Sequence, residues 1–498
     1  MKKNHWKIYT YCLILSALFL MICTKSSPLY KINDWVDAQA FFTVGKSMMR
    51  GTIPYLDLFE QKGPLLYFIY GIASLIDYHS FFGVYLLEVI SCSICLYYSF
   101  KLLRLYCSKE SSILLLPIFT GLILPLRSFT HGGSAEEFCF PFLIFSLYQL
   151  FLYFKKKTIS RQTIFLVGIC AGCVLWIKYS LLGFWFAWMM VVFFLELFEK
   201  KWKEAFLHCC IFLLGMLVTS LPWLLYFGIQ HSIPALIEVY FTFNMKLYAS
   251  NISLLDKIMN CCDTMIMVFQ QYKIFTALII IPILFSLFIP FLSNQKRHSI
   301  CLLICVFFLA FGILIGGTYY RYYSLLIAPL IIIGFIGIGI LLDFIKWKRY
   351  YIYPFCLIII TCSFLYAYQK SPNTTMLSLK KSDYAQYTFA EIINQYENPT
   401  LLNYGFLDGG FYSTTGIIPN CYFFMRNNIS HRIFPKLLDE QQEYIMKGKV
   451  DFVVVRGPLS NHHSFLESNY RLVSKQTQMY QSKKIEYFLF QKKQLEID

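Results

Sequence analysis

Two outer-lying stretches of this chain hold the residues with chemical capacity. Residues 34–67, DWVDAQAFFTVGKSMMRGTIPYLDLFEQKGPLLY, carry four acids and three bases just after the first apolar segment. Ionisable groups are costly in hydrocarbon, so these side chains belong outside the lipid or in a wet cavity. Asp37 opens a segment with Phe41, Val44 and Met48 at helical spacing. A carboxylate held at a water–lipid boundary can take a proton from an attacking hydroxyl. The structural alternative is compensation of a helix dipole by Asp34 or Asp37. Lys62, in EQKGPLLY, is placed to meet a phosphate at headgroup level as a point charge, or to snorkel. Asp57 and Glu60 either hold that lysine and contact substrate or are solvated.

The second stretch is RSFTHGGSAEEF, residues 127–138. Its Gly132-Gly133 pair allows a tight turn. Glu136 and Glu137 follow at the lip of an apolar run, where adjacent like charges favour a cavity-facing or capping role. Glu137 is the expected cavity residue, because the continuous apolar face begins directly after it. Lys178, in WIKYS, lies near the outer end of another apolar segment and either snorkels or meets an anion. Arg321 and Tyr322, in TYYRYY, suit a phosphate or a sugar ring; an interfacial aromatic belt is the alternative.

The elements that must carry these residues are membrane spans. Hydrophobic residues make up 57% of the 498-residue chain and charged residues 14%, with mean hydropathy +0.54. Apolar runs of spanning length are predicted near 8–24, 83–101, 112–126, 138–154, 163–180, 183–197, 206–227, 273–292, 300–316, 324–342 and 352–368. Lysines and arginines gather at residues 2–7, 101–109, 155–161, 200–203, 296–297 and 346–349, in every second connection. This asymmetry predicts a cytoplasmic N-terminus and an extracytoplasmic C-terminal region of a multi-pass plasma-membrane protein. The first apolar run, with its basic start, is either a signal peptide or an uncleaved anchor; the anchor is expected, because CTKSSP only loosely fits a small-residue cleavage site. The net charge of +16 is then a topology signal, and no nucleic-acid partner is expected. Cys92/Cys95 and Cys170/Cys173 fall inside predicted spans, where they read as small residues at helix contacts.

The chain divides into a transmembrane module, residues 1–368, with an acidic first outer loop at 25–82, and a polar tail, residues 369–498. In the loop, a helix over Asp37 to Arg50 should end at Gly51, and Pro54 should prevent its resumption. Pro64 to Ile76 is apolar but too short to span, and is expected to lie in the outer interface. The tail mixes helix-like stretches (384–396, 434–446) with strand-like ones (400–406, 450–456, 484–492), which predicts a small α/β domain.

At these residues the chain resembles a known family. Asp37, then Gly51-x-x-Pro54-Tyr55-x-Asp57-x-Phe59, then Gln61-Lys62-Gly63-Pro64-Leu65, is similar to the first outer loop of bacterial GT-C glycosyltransferases. Those enzymes are relatives of protein O-mannosyltransferases and the lipid A aminoarabinose transferase. GGSAEEF resembles their second acidic loop, and RYYSLLIAP their late aromatic–proline segment. Two departures are the Asp37-Ala38 pair, where the family often has Asp-Glu, and Lys62-Gly63-Pro64 in place of Lys-Pro-Pro.

The resemblance implies a polytopic α-helical GT-C-like bundle of about eleven transmembrane helices, with amphipathic outer-loop helices and a small α/β extracytoplasmic domain. It implies an inverting transferase that uses a polyprenyl-phosphate sugar as donor and a cell-envelope polymer, lipid or protein as acceptor. Asp37 would be the base and Glu137 would orient donor or acceptor. Lys62, with Lys178 or Arg321, would receive the phosphate, and Asp57, Glu60, Glu136 and Tyr322 would contact substrate. No metal or other cofactor is required, although some members use a divalent ion. The competing classes are a polysaccharide or lipid-sugar flippase, which would place polar residues near midspan, and a non-catalytic membrane scaffold.

Overall fold

The computed structural model describes residues 2–248, 253–271, 273, 277, 293–315, 323–345, 349–457, 464–480 and 483–493. They form two compact units. The first comprises Met1–Thr24, Glu88–Leu225 and Ala249–Thr374; the second comprises Lys25–Leu87, Tyr226–Tyr248 and Thr375–Asp498.

The first unit is a helical bundle. Helix α1 covers Lys2–Cys23. The other predicted spans are also helical, apart from 273–292, of which only Lys273 and Ala277 are described. Among the described residues, seven helices are long and apolar enough to cross a membrane: His5–Cys23, Phe82–Leu103, Ala135–Lys156, Arg161–Leu181, Trp202–Ile229, Leu325–Asp343 and Tyr350–Lys370. The short connection at Ser180 is a single 3-10 turn, Tyr179–Leu181, so residues 163–197 form two helices.

Lipid supplies no hydrophobic drive between helices, so close approach and polar side chains hold the bundle together. Gly168 and Gly172 let Arg161–Lys178 press on the backbone of Trp202–Ile229, where a Cβ at either glycine would strike Phe212 O or Thr219 Oγ1. Cys170 and Cys173, in the same helix, are free thiols. Trp185 Nε1 donates to Ser146 Oγ at 2.9 Å and Trp176 Nε1 to Ser220 Oγ at 2.8 Å.

In the second unit, helix α2 (Val36–Met48) starts one residue before Asp37. It ends at Met48, two residues before the predicted Arg50, and Gly51 follows at φ +91°, a conformation that β-carbons disfavour. Helix α3 (Pro64–Ile76) has proline in its first turn, where the missing N–H removes no bond. The two helices cross at glycines: a Cβ on Gly45 would sit 2.5 Å from Tyr67 O and 2.7 Å from Gly71 N. The outer side of α3 leaves Phe68, Ile72, Leu75 and Ile76 exposed at helical spacing, an apolar stripe suited to an interfacial helix.

The tail contributes a four-stranded sheet in the order β1-β2-β4-β3, where β1 is Leu401–Tyr404, β2 Phe452–Arg456, β3 Tyr470–Tyr480 and β4 Lys483–Lys492. β1 and β2 are parallel, with Leu401 opposite Phe452, and the other pairs are antiparallel. Helices Ala385–Ile393 and Lys436–Met446 match the two predicted stretches. Strand β3 was not expected: its sequence, YRLVSKQTQMY, is polar and lacks apolar alternation.

Candidate active site

Within the second unit, Asp37 and Lys62 are brought to the same side of α2. Asp37 lies in the first turn of α2 and is half-buried. Phe41 is one turn further on and fully buried, held edge-on by Trp35 and Tyr70. The half-buried Lys62 directs its ammonium to 5.9 Å from the centroid of the Phe41 ring. Residues four apart share a helix face, so the acid and the base address one patch.

The backbone that launches Lys62 is fixed on both sides. Its N–H donates to Glu60 Oε2 at 2.8 Å and to Tyr67 Oη at 2.8 Å. Its carbonyl accepts from Tyr55 Oη at 2.5 Å. Tyr67 Oη donates in turn to Glu60. Burial, then the Glu60 carboxylate, hold the Tyr67 phenol well above its ordinary range, so it stays a neutral donor. Tyr55 adopts φ +70° and is buried against Tyr240, Phe227 and Tyr67. Asn244 Nδ2 donates to Gln61 O at 2.8 Å. Phe59 lies among Phe243, Tyr422, Phe423 and Phe434, and its N–H donates to Tyr422 O at 2.9 Å. Asp57 is exposed and closes its own turn by accepting from Ile53 N at 2.7 Å.

The other face of α2 is also polar, and sequence patterning did not single it out. Thr43 Oγ1 donates to Asp408 Oδ2 at 2.6 Å, and Lys46 Nζ donates to Tyr412 O at 2.8 Å. Burial pushes the Lys46 ammonium down to about 7, against the opposing pull of Asp408. Burial pushes the Asp408 carboxyl up to about 6, against the bonds from Thr43 and Gly410 and the charge of Lys46.

The first unit holds the second acidic stretch. Gly132 and Gly133 take φ values of +82° and +73° and turn the chain into helix Ala135–Lys156. Ser134 Oγ caps this helix by accepting from Glu137 N at 3.1 Å. Glu137 Oε2 accepts from Gly133 N at 3.1 Å, and Glu88 Oε1 accepts from the same N–H. Thr24 Oγ1 donates to Glu88 at 3.0 Å. Glu137 is only 4% exposed, and its Oε1 has no hydrogen-bond partner among the described residues. It lines a cavity of about 20 Å³ with Ser91, Cys92 and Thr120, room for about one water. Glu136 is ion-paired to Lys178.

Glu137 therefore joins Glu88 and Thr24, two residues not singled out from sequence, while Glu136 and Lys178 pair with each other. Arg321 and Tyr322 lie outside the described residues. Glu88 had a legible signal, as a lone acid inside an apolar run. Lys46 and Asp408 had none, because their partnership spans more than 360 residues of sequence.

No protein-family model matches the chain, and no curated protein matches it either. Solved structures do. ArnT from Cupriavidus metallidurans bound to undecaprenyl phosphate is similar over 96% of this chain and 98% of its own, at TM-score 0.60 and 12% identity. Apo ArnT from the same organism is similar over 98% of each chain, at TM-score 0.58 and 12% identity. The chain has the fold of ArnT. At this identity the agreement is one of architecture, and it extends over nearly the whole chain. Within this fold, the α2–α3 hairpin carries both Asp37 and Lys62.

Proposed function

We propose that this chain is an inverting membrane glycosyltransferase that moves a sugar from a polyprenyl-phosphate donor to a hydroxyl of a cell-envelope acceptor. The observation that carries this assignment is a half-buried Asp37 one helical turn before Phe41, with the Lys62 ammonium 5.9 Å from the Phe41 ring. An acid and a base so placed can act on the two ends of a displacement. Asp37 takes the proton of the acceptor hydroxyl as its oxygen bonds to the anomeric carbon. The bond from that carbon to the phosphate oxygen breaks, and polyprenyl phosphate departs with the electron pair. Lys62 faces the charge that develops on the leaving oxygen, where a fixed cation is worth most. One displacement inverts the anomeric centre. The donor arrives activated by its phosphate, so the step as written needs no resident cofactor. The binding of undecaprenyl phosphate by ArnT, which shares this fold, supports the donor class.

In this mechanism Glu137, with one oxygen unpartnered among the described residues, orients substrate. Glu136–Lys178 and Arg321 are secondary contacts for the phosphate or sugar. The basic connections support a cytoplasmic N-terminus and an outer face for both the first loop and the tail; impermeant thiol labelling of Ser382→Cys but not Lys156→Cys in intact cells is the expected pattern, and the reverse refutes it. The decisive assay is transfer from a polyprenyl-phosphate sugar by purified protein in lipid. Asp37→Asn keeps shape but cannot accept the proton, so turnover should fall about 10²- to 10⁴-fold with donor binding intact. More than half of wild-type turnover in that variant removes Asp37 from the role of base.

A further inference from the structure

Helix α2 has two working faces. At 3.6 residues per turn, Gln39, Thr43 and Lys46 share one face, and Asp37 and Phe41 lie roughly 160–200° away on the other. The side chains of Gln39, Thr43 and Lys46 are each bound to one tail segment, residues 408–413. Ser413 Oγ donates to Gln39 Oε1 at 2.7 Å, Thr43 Oγ1 to Asp408 Oδ2 at 2.6 Å, and Lys46 Nζ to Tyr412 O at 2.8 Å. Gln39, Thr43, Lys46 and Asp408 are fully buried. Gly410 takes φ +92°, and a Cβ there would lie 2.9 Å from Gln39 Nε2, so the tail backbone is pressed directly against α2. Asp408 is itself tied down by Gly410 N at 2.9 Å and Asn403 Nδ2 at 3.4 Å, which connects it to β1.

Greasy side chains would hold two elements together in several nearly equivalent registers. A buried lysine and a buried carboxylate do not slide, because a shift of one residue leaves a charge or a donor unpaired. We propose that Thr43, Lys46 and Asp408 form a latch by which the C-terminal domain sets the rotation and axial position of α2, and with it the placement of Asp37. They touch no reacting atom; they are positioning residues. The tail is then a part of the catalytic apparatus rather than an appended module. This inference rests on Asp37 acting as the base.

The test compares full-length Lys46→Met, Thr43→Val and the double variant Lys46→Met/Asp408→Asn with wild type. Three quantities are measured: donor affinity with a polyprenyl-phosphate sugar, single-turnover transfer rate, and amide exchange over residues 36–48. A displaced base slows the chemical step by up to about 10²-fold without touching donor affinity. Lys46→Met should therefore transfer about 10- to 100-fold more slowly, with donor affinity within about twofold and faster exchange in α2. The double variant, which leaves no buried charge unpaired, should recover a large part of the rate. Unchanged transfer and exchange in both single variants overturns the latch. So does a loss of donor affinity equal to the loss of rate, which marks general unfolding. If the wild-type protein transfers no sugar, the transferase assignment falls, and the exchange measurement alone decides whether the tail holds α2: exchange unchanged in the single variants refutes the latch, and faster exchange upholds it.

Discussion

The Lys46–Asp408 pair should give the second unit a stability minimum near neutral pH, opposite to the usual profile. Burial lowers Lys46 from 10.5 to about 7. Between those values the folded state binds fewer protons at this site than the unfolded chain, so stability rises with pH. A displacement of this size corresponds to at most about 5 kcal/mol. Burial raises Asp408 from 3.8 to about 6. Between 3.8 and about 6 the folded state binds more protons than the unfolded chain, so stability falls as pH rises, by at most about 3 kcal/mol. The two slopes meet at a minimum near pH 6 to 7. Other groups face the pair: the rings of Tyr78 and Phe42 lie by Lys46, Arg50 stacks on the same Tyr78, and Thr43, Asn403 and the Gly410 N–H bind Asp408. None of the three donors to Asp408, a hydroxyl, an amide and a backbone N–H, titrates in this range, so they do not generate the slopes. The assay is the free energy of opening from amide exchange in residues 36–48 and 401–416, measured from pH 4 to 10. The reference is Lys46→Met/Asp408→Asn, whose difference from wild type isolates the pair. A difference curve that is flat within about 1 kcal/mol, or that peaks between pH 6 and 7, refutes the reasoning.

Three further outcomes follow from the same contacts. Lys62→Ala should weaken donor binding by about tenfold, or slow phosphate departure, and Lys62→Arg should restore part of it because charge is kept while geometry changes; equal affinity and turnover in Lys62→Ala would assign this lysine to snorkelling. Glu137→Gln should reduce transfer by about 10- to 100-fold and more than Glu136→Gln, since Glu136 is neutralised by Lys178 whereas Glu137 keeps a buried oxygen toward a cavity; the opposite ranking in a transfer assay overturns this. Gly45→Ala should destabilise the α2–α3 hairpin by about 1–3 kcal/mol, because the added carbon meets backbone atoms of α3 that no rotamer change can move; a melting temperature equal to wild type would show that the helices separate freely.

Sequence patterning located the elements of this protein better than their partnerships, and the residues show why. Helix α3 was read to the residue, Pro64 to Ile76, because proline at its start and a uniformly apolar run are local features. The end of α2 was legible to within two residues for the same reason, from Gly51 and Pro54. Strand β3 escaped because it gains its structure from ten antiparallel pairings with β4 rather than from apolar alternation of its own. Asp37 and Lys62 announced themselves as charges beside lipid. Lys46 stands in the same loop with the same charge and carried no signal of its own, yet it is fully buried. What separates it from an ordinary surface lysine is Tyr412, more than 360 positions away, whose carbonyl accepts its hydrogen bond. The distinction between a loop that merely carries an acid and one that aims it lies in such long-range contacts. Here they run from the far face of α2 to a tail turn packed on it at Gly410, so the surroundings of α2 are built from two distant stretches of chain folded as one unit.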